Sequence, residues 1–398
     1  MIFTTYWFLA FALVAAAGFR LIPSAWYRQW WLVLCCALFH WHYAGPAGVA
    51  PIIVLMAVTY GAGLSRQAWA QVAAIVACVA ALCFYKYLAF LIGSLVAPLD
   101  PTLAVRLAGT GTRLLPSLPP LGISFFVFEF VHYLIEVRRG HEPIRNPLRF
   151  VAFAIFFPSL VAGPIKRYAQ FLPSLERAEE RAAPASDVAN GLAQVALGFA
   201  KKLLVADPLT TYIDHYQPLY DSQTLTGKWV IFAAIALRIL TDFSGYSDIA
   251  IGCALVLGIR LPANFNWPYA ACSVRDFWTR WHISLSLWIR DYVYIPLGGG
   301  RRGWPRRILN GAAAFALCGL WHGPALHFVD WGLYHGVGLG ICTAYPHLPA
   351  IGKPLAAVVR RDALAGWVLT QLFVWVGWLL FFYPAGVAVH MARQLFGL

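Results

Sequence analysis

Residues 72–96 read VAAIVACVAALCFYKYLAFLIGSLV, an apolar stretch in which Lys86 is the only charged side chain. A helix needs about 20 mainly apolar residues to cross a hydrocarbon core about 30 Å thick, so this stretch predicts a membrane-spanning helix. Further apolar stretches recur near residues 5–19, 30–43, 49–64, 121–137, 150–161, 188–205, 229–240, 249–257, 309–321, 333–345 and 367–382. Several of these are too short to span a membrane alone, which indicates tilted, protein-buried or re-entrant segments.

The composition of the chain indicates the same class of protein. Of its 398 residues, 60% are hydrophobic and 12% are charged. Soluble domains carry about a quarter charged residues, so the composition excludes a soluble enzyme, a disordered protein and a secreted disulfide scaffold. We predict an all-α polytopic integral membrane protein, a single membrane domain over residues 1–398. It would contain about ten to twelve transmembrane helices and additional re-entrant segments.

The chain is basic, with 30 Lys and Arg against 17 Asp and Glu and a net charge of +13. Cytoplasmic loops of membrane proteins carry an excess of Lys and Arg and face anionic lipid. No segment interleaves basic and aromatic residues as an RNA-binding module does, so we predict membrane lipid and no nucleic acid as a partner. The charged segments 138–149, 166–187 and 301–307 are assigned to the cytoplasmic side. Residues 98–120, rich in Pro, Gly and Thr, predict a loop.

One charged segment does not fit a simple spanning helix. Residues 274–296 read VRDFWTRWHISLSLWIRDYVYIP, which places Arg275, Arg280, His282 and Arg290 among tryptophans. Two interpretations stay open. The segment is either an interfacial amphipathic helix with Trp anchors, or a broken or re-entrant helix that lines a water-filled cavity. Ionisable residues at membrane depth usually mark a functional site.

Histidine suits proton transfer because its ordinary pKa lies near neutral pH. His322 follows an apolar run and precedes Gly323-Pro324, where proline would end a helix. His282 lies inside the charged segment. For both, a buried or interfacial structural histidine is the alternative to a catalytic role. His322 and His327 are five residues apart with no Glu between them, and the eight cysteines form no Cys-x-x-Cys pair, so we predict no metal site.

Two carboxylates and three glycines lie within otherwise apolar segments. Asp242 and Asp248 occur in LTDFSGYSDIAIG and would be costly facing lipid, so we expect them inside the helix bundle. They are either hydrogen-bonding centres or part of a pathway. Gly336, Gly338 and Gly340 are interpreted as helix-packing positions. The chain contains no Gly-x-Ser-x-Gly motif, which disfavours a nucleophilic serine.

A family resemblance rests on motifs that follow one another along residues 121–336. They are PLGISFFVFE, VAGPIKRY, GFAKKLLVAD, DFSGYSDIAIG, GIRLPANFNWPY, SVRDFWTRWHISLSLWIRDYVYIPLGG, GLWHG and DWGLYHG. Together they resemble the membrane-bound O-acyltransferase family. The stretch YIPLGGGRRG, residues 294–303, is more similar to the bacterial alginate O-acetyltransferase branch than to the related teichoic-acid D-alanyltransferase branch, whereas the chain length is nearer the latter.

The resemblance implies a fold and site residues. The fold would be a ring of tilted helices around a central funnel, lined by the charged segment. His322 matches the family's catalytic histidine in WHG and would be the general base toward a hydroxyl. His282 matches the histidine of RWH, and groups around it would orient the substrate or stabilise an oxyanion. The predicted substrate-binding residues are Arg280, Trp281, Asn264 and Trp321.

The resemblance also implies an acyl donor and partners. No cofactor is expected to stay bound; the co-substrate would be acetyl-CoA or an acyl-carrier thioester. The basic patch Arg301 to Arg307, with Arg301 and Arg302 as the named residues, suits its phosphate. The acetyl group would pass from this cytosolic thioester toward an extracytoplasmic polysaccharide hydroxyl. A periplasmic acyltransferase partner and a cytosolic acyl carrier are expected, in the bacterial inner membrane. The alternatives are D-alanyl transfer to teichoic acid, a polysaccharide or lipid transporter, and a structural export subunit.

Overall fold

The structure is a computed structural model that describes residues 2–65, 67–114, 119–347 and 363–398. Within these ranges every regular element is helical and no strand occurs, so the predicted all-α class is confirmed. The chain forms two compact units. One comprises the residues up to Leu197 together with Tyr246–Pro262, and the other comprises Gly198–Gly245 together with Ala263–Leu398. A single membrane domain over residues 1–398, with its family-matching core at 121–336, stays a prediction.

The α-helices are numbered here in chain order. They are α1 (Tyr6–Leu21), α2 (Ala25–Ser65), α3 (Ala68–Leu82), α4 (Leu88–Leu91), α5 (Pro101–Leu114), α6 (Ile123–Arg138), α7 (Pro147–Ala154), α8 (Tyr168–Glu180), α9 (Ala185–Ala200), α10 (Asp207–Tyr216), α11 (Leu225–Val256), α12 (Val274–Arg280), α13 (Ile283–Ile289), α14 (Gly303–His322), α15 (Leu326–Ala344), α16 (Ala363–Phe382) and α17 (Ala385–Leu395). π-Helical turns occur at Cys83–Tyr87, Ile92–Val96, Lys201–Ala206 and Arg290–Tyr294.

Within the described ranges, five helical stretches are long and apolar enough to cross a membrane. They are Ala25–Ser65, Ala68–Val96, Ala185–Ser222, Leu225–Val256 and Ala363–Phe382. Two shorter apolar helical stretches are Tyr6–Leu21 and Pro147–Ser159. These stretches qualify by length and composition alone, and the predicted total of about ten to twelve transmembrane helices stays a prediction.

Helix α2 contains a kink at a glycine and a proline. Gly45 has φ 61° and ψ 176°, outside the helical region, and Pro46 follows it. Glycine accepts a positive φ without strain, and proline lacks the N–H that would continue the helix. The two spans predicted near residues 30–43 and 49–64 are therefore the two arms of one kinked helix.

Helix α11 is continuous where the sequence predicted two spans. That division was wrong because the polar side chains between the two apolar runs find protein partners and leave the backbone ladder intact. Lys202 Nζ lies 2.8 Å from Asp242 Oδ1 in an ion pair. In the other unit, Gln194 Nε2 donates to Asp248 Oδ1 at 3.3 Å. Asp242 thus has an ion-pair partner and Asp248 a hydrogen-bond partner, and both of the roles left open stay predictions.

Helix α5 occupies most of the segment 98–120 that was predicted to be a loop; residues 115–118 lie outside the described ranges. Asp100 Oδ1 accepts a hydrogen bond from the backbone N–H of Leu103 at 2.9 Å, and Pro101 is the first helical residue. An aspartate cap followed by proline is a signal that starts a helix. The loop prediction was wrong because it weighed composition above this local signal.

Helices α14 and α15 approach closely at two glycines, and this crossing positions His322. A Cβ atom on Gly319 would overlap the carbonyl oxygen of Phe328, and one on Gly332 would overlap that of Phe315. Three further glycines of α15 would also meet neighbouring atoms if they carried a Cβ: Gly336, Gly338 and Gly340. The structure therefore agrees with the interpretation of small residues as helix-packing positions.

Candidate active site

The charged segment is a helix that breaks at Trp281 and His282. Helix α12 ends at Arg280 and α13 begins at Ile283. At the break, His282 has φ 42°, in the left-handed region that residues other than glycine rarely adopt. Each helix has seven residues and is therefore about 10 Å long, too short to span a membrane. Of the two interpretations that the sequence left open, the structure shows the broken helix.

Asn264 and Asn266 hold the backbone on the two sides of this break. The carbonyl oxygen of Asn264 accepts a hydrogen bond from Ile283 N at 3.0 Å, and its Oδ1 accepts one from Ser284 Oγ at 2.6 Å. Two residues further on, Asn266 N donates to Arg280 O at 2.9 Å. The buried Asn264 side chain thus supports the start of α13. Its predicted contact with substrate stays a prediction.

His282 and His322, the two predicted catalytic histidines, lie together in this unit. Their ring centroids are 6.5 Å apart. His322 is the last residue of α14, which ends before Gly323 and Pro324 as predicted. His282 is buried, whereas His322 is partly exposed. Trp321 lies beside both rings, with centroid distances of 4.9 Å to His322 and 6.2 Å to His282.

Aromatic rings enclose the two histidines. The centroids of Trp331 and Phe381 lie 5.2 and 5.1 Å from that of His322, and Phe243 lies 4.7 Å from His282. The sequence prediction missed all three. Trp331 and Phe243 belong to motifs that carry the family resemblance and could have been proposed, whereas no pattern distinguishes Phe381. Such rings exclude water and strengthen electrostatic interactions in the site.

Trp281 and Arg280 have protein partners beside the histidines. The Trp281 indole is buried and packs against Trp378 at 4.7 Å and Phe277 at 5.6 Å between ring centroids. Arg280 Nε lies 2.8 Å from Asp276 Oδ1 in an ion pair within α12. These contacts explain how both residues stabilise the broken helix, and their binding of substrate stays a prediction.

The environment of His282 favours an uncharged imidazole. His282 lies outside the five candidate spans. Burial, followed by the nearby His322, lowers the pKa of His282 well below its ordinary value. Among the described residues, its Nδ1 atom has no hydrogen-bond partner. A neutral buried imidazole is suited to exchanging or sharing a proton with a bound molecule.

A cavity of about 370 Å³ extends beside α13 and α14; its lining reaches Ile283 and Cys318 but includes neither His282 nor His322. Along α14, its lining residues run from Arg307 to Cys318, which is about 16 Å of helix, and Cys318 lies one turn before the end of α14. Along α13 and the π-helical turn after it, the lining runs from Ile283, directly after the break, to Arg290 and Tyr294. We call the two ends of this cavity the histidine end and the basic end.

Helices α12 and α15 form the remaining walls. Each of them contributes to both the basic end and the histidine end. At the basic end, Arg275 Nη2 donates to Thr343 Oγ1 at 3.3 Å. At the histidine end, Trp278 and Gly336 line the cavity on the same two helices. The lining between the two ends is mainly apolar. The cavity therefore suits an elongated molecule with an anionic group at one end and an apolar group at the other.

The predicted donor-binding residues Arg301 and Arg302 do not line this cavity. Both are exposed in the turn that precedes α14. The arginines that line the cavity are Arg275, Arg290 and Arg307. A donor-binding role for Arg301 and Arg302 stays a prediction. In the described part of the chain, no three His, Cys, Asp or Glu side chains gather as a metal site would require.

Residues 1–348 match the family model of the membrane-bound O-acyltransferases, MBOAT. The match covers most of the chain and includes the broken helix and both histidines. The chain therefore belongs to the MBOAT family. It is a multi-pass membrane acyltransferase.

Several named proteins are similar to this chain in sequence. The chain is 34% identical over 392 residues to the probable alginate O-acetylase AlgI of Pseudomonas putida, which covers 95% of this chain and 73% of that protein. It is 31% identical over 287 residues to the peptidoglycan O-acetyltransferase of Helicobacter pylori, covering 66% and 54% of the two chains. It is 31% identical over 274 residues to the teichoic acid D-alanyltransferase of Bacillus subtilis, covering 66% and 68%. These names agree with the predicted enzyme class.

Proposed function

We propose that this enzyme transfers an acetyl group from a cytosolic thioester toward a polysaccharide hydroxyl on the other side of the membrane, with His322 as the general base. The observation that carries the proposal is a cavity that is basic at one end and at the other reaches Ile283 and Cys318, which lie next to His282 and one helical turn before His322 in the chain. A thioester donor has the same polarity, with phosphate at one end and the acyl group at the other. The similarity to alginate O-acetylases over 95% of the chain supports acetyl as the group transferred.

The basic end would hold the phosphate of coenzyme A or of the phosphopantetheine arm of an acyl carrier. Arginine binds phosphate oxygens through its planar set of N–H donors. Arg290 shares its Nε with Asp291 at 2.7 Å, whereas Arg307 forms no ion pair with the described residues. We therefore propose Arg307, with Arg275, as the main phosphate contacts. The donor is a co-substrate that leaves after each turnover.

The histidine end would carry out acyl transfer. The hydroxyl oxygen attacks the thioester carbonyl carbon while His322 accepts the hydroxyl proton. The tetrahedral oxyanion then collapses, the C–S bond breaks, and His322 returns the proton to the departing thiolate. A general base contributes about 10² to 10⁴ in rate. An N–H of the neutral His282 would stabilise the oxyanion, an effect that is large in a dry site.

The proposal places the enzyme in the bacterial inner membrane, surrounded by lipid. The apolar helices and the named relatives support a multi-pass membrane position. From that position the enzyme would connect a cytosolic donor with an extracytoplasmic acceptor. A periplasmic acyltransferase partner would complete delivery to the polysaccharide. A cytosolic acyl carrier is the alternative to coenzyme A as the source of the thioester.

The test is the ester-linked acyl content of the cell-surface polysaccharide, measured by NMR. A deletion strain is complemented with wild type, with His322→Ala, or with His141→Ala at equal membrane abundance. His141 is an exposed histidine paired with Glu136 and serves as the matched control. We expect acetyl ester with wild type and His141→Ala, and its loss with His322→Ala.

Other results would redirect the proposal. D-alanyl ester on teichoic acid would replace acetyl as the group transferred while keeping the same site. Full acylation with His322→Ala would remove the general base from the mechanism and would favour a transporter or a structural export subunit. Because membrane abundance is matched, a folding defect cannot produce either result.

A further inference from the structure

Trp278 forms part of the cavity wall at the histidine end. Its indole is 7% exposed and packs edge-on against Phe315, with 4.7 Å between ring centroids. On its other side it lies 5.8 Å from Trp331, whose ring is 5.2 Å from that of His322. The Trp278 and Trp331 indoles thus form a series of ring contacts that connects this part of the cavity wall with His322.

A buried histidine holds the Trp278 indole in this orientation. Trp278 Nε1 donates a hydrogen bond to His335 Nδ1 at 3.3 Å, and His335 is completely buried. Because Nδ1 accepts this bond, the proton of the neutral ring is on Nε2. A Cβ atom on Gly377 would lie 2.8 Å from His335 Nε2, so the glycine leaves room for the ring. Neither Trp278 nor His335 has a role in the proposed acyl transfer itself.

We propose that Trp278, positioned by His335, limits the length of the acyl group that this enzyme accepts. The inference rests on the proposed function, in which the acyl group occupies the histidine end. A two-carbon group would end beside the indole, whereas a longer chain would need the volume that the ring fills. Packed interiors do not absorb additional methylene groups without strain. The indole cannot turn aside without losing its bond to His335.

The first experiment measures the affinity of purified enzyme in detergent for two 4′-phosphopantetheine thioethers by calorimetry. One carries a 2-oxopropyl group, which imitates acetyl, and the other carries a 2-oxoheptyl group; neither can be transferred. We expect wild type to prefer the short thioether by at least about tenfold, since pocket walls discriminate single methylenes by that order. Trp278→Ala should bring the ratio of the two affinities close to one. Trp278→Phe should give a ratio between those of wild type and Trp278→Ala.

A second pair of variants tests the positioning role of His335. In His335→Asn, the side-chain oxygen can replace Nδ1 as the acceptor for Trp278, whereas the longer His335→Gln places its amide near the position of Nε2. We expect His335→Asn to retain the preference for the short thioether and His335→Gln to lose most of it. A merely space-filling role would predict the opposite order, because glutamine is closer to histidine in volume. Thermal unfolding of each variant checks that it is folded.

The outcomes separate this inference from the proposed function. If wild type binds the short thioether and Trp278→Ala keeps the same preference, the role of Trp278 is wrong and the donor site stands. If wild type binds neither thioether, the donor site is wrong and the inference falls with it. The same thioethers attached to coenzyme A distinguish the donor sources: tighter binding than to phosphopantetheine indicates recognition of the nucleotide, and equal binding indicates a carrier protein.

Discussion

The two units bury ionisable side chains in opposite ways. In the unit that contains α6, Lys166 Nζ and Glu129 Oε1 form an ion pair at 2.6 Å, and both side chains are almost inaccessible. In the unit that contains α14, His282 is equally buried, but its neighbours are aromatic rings and a second histidine. The first pair satisfies its own charges, whereas the second keeps a ring nitrogen available. The two groups are equally buried, and they differ in that Nδ1 of His282 has no hydrogen-bond partner among the described residues.

The ion pair has further contacts that point to a structural role. Lys166 Nζ lies 5.3 Å from the ring centroid of Phe153 and 5.7 Å from that of Phe171, as in cation–π contacts. It thereby fixes the segment between α7 and α8 against α6.

Breaking the ion pair should have the largest effect on stability. Lys166→Met leaves the Glu129 carboxylate buried without a partner, and the loss is expected to be about 3–5 kcal/mol. The measurement is thermal and chemical unfolding in detergent micelles. The fraction of enzyme that stays folded should keep its specific activity.

The double variant Lys166→Met/Glu129→Leu is the control for this prediction. Removing both charges eliminates the unpaired carboxylate, so most of the lost stability should return. A double variant as unstable as Lys166→Met would show that packing around the lysine, rather than its charge, stabilises this unit.

The corresponding change at the histidines should lower activity and largely spare stability. In His282→Asn the imidazole is removed, but asparagine tolerates the positive φ at this position. We expect the turnover rate to fall by about 10² to 10³, the usual effect of losing one oxyanion donor. The stability loss should be about 1 kcal/mol. If His282→Asn shifted the unfolding transition as far as Lys166→Met does and left turnover unchanged, His282 would have the structural role and the comparison between the units would be wrong.

The smallest effect concerns the basic end of the cavity. Arg307→Gln should raise KM for the thioester donor by about tenfold and leave kcat unchanged, because the lost phosphate contact is made equally in the ground and transition states. Arg302→Gln is the matched control, since Arg302 is exposed and does not line the cavity. Initial rates over a range of donor concentrations give both constants. A larger increase with Arg302→Gln would favour the original sequence prediction.

Much of the fold was predictable because the length of an apolar segment and the signals that start and end a helix are local properties of the sequence. The kink at Gly45 and Pro46 and the end of α14 at His322 both follow from the residues present. Errors arose where composition was weighed above a local helix signal, or where the partners of a side chain came from other helices. Asp100-Pro101 starts a helix inside a segment whose composition resembles a loop. In α11, the carboxylates have partners from other helices, which no local pattern reveals.

The sequence selected the two candidate histidines but not most of the residues around them. His282 and His322 were selected from motifs that are 40 residues apart, and the structure brings their rings to 6.5 Å. Of the three arginines at the cavity, Arg307 lay within the basic patch predicted to hold the donor phosphate, whereas Arg275 and Arg290 were not assigned to it, because exposed basic residues look alike in sequence. Only the orientations of α12 to α15 separate Arg307 from Arg302.

The sequence by itself determined the apolar helices, the class of enzyme and the two histidines, since these depend on composition, spacing and motifs along the chain. The tertiary structure alone decided what surrounds them: the turn tethered by Asn264, the bond from Trp278 to His335, and the cavity that joins three arginines to the histidine end. These features depend on how the helices cross. That crossing is set by contacts between helices, such as the close approach of α14 and α15 at Gly319 and Gly332, where a Cβ atom would overlap a backbone carbonyl oxygen.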